Sequence, residues 1–274
     1  MLSGVILLWF ILTGLSVAFV AIDIRSTPES PVMKWAFVLV VLYTGPIGAF
    51  FYVLGCREPL PGMHAPYVEA RWRQALGSTM HCVAGDGIGI LAGAVIGSML
   101  HLSMPAHIAL EYVLGFGFGW TIFQSLFMRE EADGSFSRAL SMTFIPEFLS
   151  MNALMSGMVP AMTFAMVHVL RSEDPLGANF WFVMSISLLT GAIIAYPMNW
   201  WLVAHHLKHG MKTVTRLETA KPIRSDAMPE MEQKTMDNMR FAKPSTAAIV
   251  KVAIVSIAMF GVGIFPLVII LNRH

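Results

Sequence analysis

Charged residues and prolines divide this chain into apolar runs, each long enough to cross a bilayer, and no other feature constrains its fold as tightly. About 20 residues of helix cover about 30 Å of hydrocarbon. Runs of that order occupy 4–21, 34–54, 76–102, 107–128, 147–170, 178–204 and 247–271. Inside hydrocarbon, backbone N–H and C=O groups find no water, so each run is expected to close its hydrogen bonds within itself as a helix. The expected fold is all-α, a polytopic transmembrane bundle of about seven spans. Composition supports this: 56% of the 274 residues are hydrophobic and 13% charged, with a mean hydropathy of +0.66, outside the range of soluble domains. Seven spans use most of the length and leave no sizeable domain outside the membrane.

The fifth run needs dividing. Its apolar stretch begins near Phe136 and is too long for one ordinary crossing, so 137–145 is expected to lie along the interface, with Pro146 as the break and Pro160 bending the span that follows. The first run has no basic residue ahead of it and no small-residue cleavage site before a soluble domain, so it is expected to stay as a helix. With seven crossings, the loops on one side hold thirteen Lys and Arg residues and those on the other hold Arg25, Lys34, Arg171 and Arg273. The positive-inside rule then expects a cytoplasmic amino terminus and an external carboxyl terminus, in the cytoplasmic (inner) membrane of a bacterium. The organisation read this way is two helices and a cytoplasmic loop over 1–70, a four-helix membrane core over 71–211, a mobile cytoplasmic linker over 212–246 and a last helix over 247–274. The formal charge of +1 supplies no basic field for nucleic acid, and the partners implied are the lipid bilayer and a small cation. Nothing in the sequence sets an oligomeric state.

Small residues write the packing. Gly85, Gly89, Gly93 and Gly97 fall on one face of the third run and Gly115 and Gly119 on the fourth, the spacing that lets membrane helices approach closely. Polar residues write the chemistry. Asp86 sits near mid-membrane, where a lone carboxylate costs about 2.5 to 3.5 kcal/mol, so it is expected to be protonated, paired or open to water. His81 and Cys82 lie one turn away. Glu147, Asn152 and Asn199 can reach a similar depth, and Glu147 and Asn199 with Asp86 form a candidate transport or proton site. Glu111 is expected to reach water at the outer end of its run.

Methionine is the second anomaly, at 21 residues. Met151, Met155, Met158, Met162 and Met166 form a stripe on the fifth run, between Glu147 and His168. Thioether, thiol and imidazole suit Cu(I), so His81, Cys82, Asp86, the five methionines and His168 form a candidate metal path. Met99, His101, Met104 and His107 add donors at the outer mouth. The cofactor this set would take is copper or another transition metal. Packing is the plainer explanation of such a stripe, since methionine fills irregular helix interfaces. Tyr196 to His209 has the aromatic and histidine content of an interfacial belt. The two cysteines, Cys56 and Cys82, have no paired spacing and are expected to be thiols.

The stretches Ser78-Thr79-Met80-His81-Cys82-Val83-Ala84-Gly85-Asp86 and Tyr196-Pro197-Met198-Asn199-Trp200-Trp201-Leu202, with Lys208-His209-Gly210-Met211, resemble a bacterial membrane-protein family known as domain of unknown function 4396. The resemblance covers 71–211 and implies relatives rather than a chemistry. No GxSxG, P-loop, dinucleotide or HExxH pattern occurs in a fitting context, so no catalytic residue is assigned and a non-enzymatic role is expected. Three readings follow: a transporter of a cation such as Cu(I), a membrane-embedded metal or haem enzyme using His81 with His205 or His101 with His168, and a structural subunit of a membrane complex.

Overall fold

The computed structural model describes residues 2–129, 132–166, 174–211, 213 and 244–271. The linker expected over 212–246 lies almost wholly outside the described residues, as does His168. Helices are α1 (Leu2–Asp23), α2 (Pro31–Gly55), α3 (His64–Val68), α4 (Arg71–Met99), α5 (Met104–Phe118), α6 (Ser125–Phe127), α7 (Phe136–Phe164), α8 (Ala178–Ala204) and α9 (Thr246–Leu271), with a π-helical segment, Gly119–Gln124, joining α5 to α6. The fold is an all-α bundle. Six helical stretches among the described residues have the length and hydropathy to cross a membrane: α1, α2, α4, α5 through α6, α8 and the described part of α9. The seventh long helix, α7, is more polar. It runs unbroken through Pro146 and Pro160, so the division expected at Pro146 is absent. Its middle is buried among α4, α5, α8 and α9.

The second run is helical, but it doubles back. Gly45 has φ 61° and ψ −139°, a left-handed conformation that glycine adopts without steric cost, and Pro46 follows it. The Phe37 and Tyr52 rings lie 5.5 Å apart; fifteen residues of straight helix would separate them by about 22 Å. Both ends of α2 therefore stand at one end of the bundle. Asp23, closing α1, accepts from Tyr52 Oη at 2.7 Å and pairs with Arg57 at 3.0 Å. The arms on either side of Gly45 are about 21 and 15 Å long, less than the hydrocarbon thickness, so α2 is a re-entrant hairpin. Its turn packs deep in the bundle. The Ser185 hydroxyl donates to the Tyr43 carbonyl, and the Tyr43 ring fills the space a side chain on Gly87 would need.

Helices α4 and α5 form a tight antiparallel pair. Methyl groups built on Gly85, Gly89, Gly93 and Gly97 would meet, in turn, Phe123 and Gly119, the Leu114 carbonyl, the Glu111 backbone and the His107 ring. That order is the register of the pair. Near its end, α5 widens into the π segment. Ser125 Oγ donates to the Trp120 carbonyl at 2.7 Å, and Trp120 Nε1 donates to the Leu140 carbonyl of α7 at 2.9 Å, so polar groups at the altered helix are satisfied.

Candidate functional site

Buried charges gather where α4, the π segment, α7, α8 and the turn after α8 meet. Helix α4 presents Ser78, His81, Cys82 and Asp86, α7 presents Glu147 and Ser150, and α8 presents Asn199. Lys208 enters from the turn. Its Nζ lies 2.7 Å from Glu147 Oε2, with the two side chains 0% and 1% exposed. It also donates to Cys82 Sγ, and lies 3.4 Å from Asn199 Oδ1. Cys82 Sγ is 3.5 Å from the same Glu147 oxygen. Ser150 donates to Asn199 Oδ1 at 3.1 Å, while Asn199 Nδ2 donates to the Ala195 carbonyl, fixing the amide.

Asp86 completes the group without a donor of its own. Both carboxylate oxygens are buried and accept no hydrogen bond. Gly119 explains how it fits: a methyl group there would fall on Asp86 Oδ1 and within 2.7 Å of Glu147 Oε1. The two carboxylates thus face each other across the groove left by Gly119, and Lys208 neutralises one of them. With both acids ionised, two acids and one ammonium in so buried a pocket would carry a net charge of −1, which burial penalises strongly, so the site favours one further positive charge.

The turn that carries Lys208 is pinned to α4. Gln74 Nε2 donates to the Met211 carbonyl at 3.0 Å, and Gly77 and Gly210 leave no room for side chains where this segment crosses the helix. A polar cavity of about 210 Å³ opens beside it, lined by Glu69, Arg71, Gln74, His206, Lys208 and His209. Lys208 stands between that cavity and the acids.

The structure brings His81, Cys82, Asp86, Glu147 and Asn199 into one region. His81 is buried, its ring 4.8 Å from that of Phe127 and its Nε2 without a hydrogen bond. Met151, Met155, Met158 and Met162 are buried along α7, and Met166 is buried just beyond its end. The last two line a second cavity, of about 90 Å³, with Ser98, Leu102, Met104 and His107, at the opposite end from Lys208. Glu111 does not reach water. It is 0% exposed and sits 3.4 Å from His107 Nε2, because Gly93 and Gly97 draw α5 so close to α4 that its side chain cannot turn outward. Asn152 is engaged elsewhere, between Tyr112 and Ser256. Met99 and His101 are exposed. His205 stacks on Trp201 and bonds its carbonyl.

Sequence reasoning passed over Lys208. It reads as one more cation in a basic loop, and only the tertiary fold turns its side chain inward.

A helical bundle with apolar spans and ionisable groups at its centre defines a multi-pass membrane protein. The chain belongs to the family described as Domain of unknown function (DUF4396), whose match covers residues 71–208 and includes every member of the charge cluster, Lys208 being its last residue. No curated protein and no solved structure matches the chain.

Proposed function

We propose that this protein transports a monovalent cation across the bacterial cytoplasmic membrane in exchange for a proton, and that Cu(I) is the cation. The net charge at the centre carries the reading. Asp86 and Glu147, when both are ionised, would leave one negative charge against Lys208 in this buried pocket, and one proton or one monovalent cation balances it. Two ions that satisfy the same deficit in alternation are exchanged. Cys82, touching both Lys208 and Glu147, supplies the soft donor that distinguishes Cu(I) from an alkali ion. The methionine stripe runs about 22 Å along α7, from Met151 near the acids to Met166 at the smaller cavity. Lys208 stays paired with Glu147 in either state, so the single remaining charge is the one the proton or the cation balances.

The re-entrant α2 bears on orientation. Arg25, Lys34, Arg57, Arg71, Arg73 and Lys208 stand at one end of the bundle, and the positive-inside rule assigns that end to the cytoplasm. Helix α1 then starts outside, the reverse of the side expected when α2 counted as a crossing.

The test is Cu(I) uptake into proteoliposomes by the wild type, Asp86→Asn, Cys82→Ser and the double variant Met155→Leu/Met158→Leu, each checked for folded yield. All three variants are expected to lose uptake. Loss in Asp86→Asn alone means proton-linked transport that uses neither Cys82 nor the methionine stripe as a ligand, with the stripe serving as packing. Wild-type uptake in all three removes the transport site from this cluster.

A further inference from the structure

A second group of chemically active side chains lies outside the charge cluster, at the base of the α2 hairpin. Glu29 precedes the first arm, Cys56 caps the second, and His64 opens α3. All three are buried, at 3%, 0% and 1% exposure, and one donor atom from each lies within 4.8 Å of the other two. We infer that Glu29, Cys56 and His64 bind a divalent transition-metal ion of the Zn²⁺ class.

The donors select the ion. Thiolate, imidazole and carboxylate together are the ligand types of zinc and its neighbours, whereas magnesium and calcium take oxygen alone. A tetrahedral ion with bonds of about 2.0 to 2.3 Å holds its ligands about 3.5 Å apart, so the three donors need to close in by no more than about 1.3 Å. The charges also fit: one thiolate and one carboxylate neutralise a divalent ion, leaving nothing uncompensated in a buried place.

The histidine is already oriented. Its Nδ1 lies 2.8 Å from Thr213 Oγ1, and its Nε2 is buried with no hydrogen-bond partner. With the proton on Nδ1 donated to Thr213, Nε2 presents the lone pair a metal takes, the arrangement seen when an outer partner fixes a ligating imidazole. A buried imidazole nitrogen left unpaired costs about 1 to 3 kcal/mol, which a metal bond recovers. The loop is set for it as well: the His64 amide donates to Glu58 Oε1 at 3.1 Å, and Gly62 supplies a turn at φ 83°. Ser30 N holds Glu29 Oε1 at 2.8 Å, so the carboxylate too is fixed.

Burial packing alone explains a small thiol at Cys56, but not an imidazole nitrogen without a partner beside it. The ion would join both ends of the hairpin to α3. Through Thr213, which also bridges to Glu29, it would tie them to the segment that follows Lys208. This site shares no residue with the transport cluster, so the two stand or fall separately.

Cobalt is the probe. The full-length chain, purified in detergent and stripped with chelator, is titrated with Co²⁺ while the near-ultraviolet thiolate-to-cobalt band is followed. One Co²⁺ per chain is expected, displaced by Zn²⁺, with the band retained in Cys82→Ser and absent in Cys56→Ser. His64→Gln is expected to weaken binding at least a hundredfold. Thr213→Val, which removes no ligand, is expected to weaken it about tenfold and serves where a ligand variant fails to fold. No band in the wild type, a band that depends on Cys82 instead of Cys56, or unchanged affinity in Thr213→Val overturns the assignment.

Discussion

Lys208 Nζ and Glu147 Oε2 lie 2.7 Å apart with both side chains sealed from solvent, in a chain where Lys208 follows the last turn of α8. Such a pair costs desolvation on both sides, and its mutual attraction repays this only while both partners are present. Lys208→Met is therefore expected to destabilise the fold by about 3 to 5 kcal/mol, because two acids are left buried without a cation. Lys208→Met combined with Glu147→Gln is expected to recover much of that loss. Unfolding of both variants in detergent measures the difference, and a single variant as stable as the wild type contradicts the pairing.

Gly119 gives a sharper test of the acid pair. A methyl group there lands on Asp86 Oδ1, whereas one on Gly117, half a turn earlier, meets nothing within 4 Å. Gly119→Ala is expected to lower cation uptake at least tenfold in folded protein, and Gly117→Ala to leave it unchanged. Equal uptake by the two variants would show that the groove at Gly119 is not needed.

Close approach of α4 and α5 predicts that Gly89→Leu is far more damaging than Ile90→Leu. The first drives a branched side chain into the Leu114 carbonyl, while the second keeps the volume of a buried side chain. Thermal unfolding and folded yield decide it, and equal values for the two variants contradict the register.

The hairpin predicts labelling from one side. Single cysteines placed at Ser26 and at Pro61, flanking α2, are expected to react with a membrane-impermeant thiol reagent from the same face, and one at Ser3 from the other. Reaction of the Ser26 and Pro61 positions from opposite faces would mean that α2 crosses.

Much of the fold could be read from the sequence, for reasons particular residues make plain. Helices in lipid must satisfy their own backbone, so apolar runs bounded by charge translate into helices, and Asp86, expensive in hydrocarbon wherever it sits, announces a site. The reversal at Gly45 was hidden, because Gly-Pro inside an apolar run reads equally as a kink within a crossing. Only the packing of Phe37 on Tyr52 separates the two. Glu111 looked free to reach water because its depth was visible and its neighbour was not. Lys208 was invisible as a site residue for the opposite reason: a cation in a basic loop carries no sign of burial, and its partner, Glu147, is 61 residues away along the chain.

Exchange of one monovalent cation for one proton is tested by Cu(I) uptake into proteoliposomes with imposed gradients. Exchange of one charge for one charge is electrically silent. An outward-directed proton gradient is expected to accelerate uptake, membrane potential to leave it unchanged, and internal pH indicators to record one proton leaving per Cu(I) entering, all lost in Asp86→Asn. Uptake driven by potential and indifferent to the proton gradient, or proton exit that persists in Asp86→Asn, would contradict it.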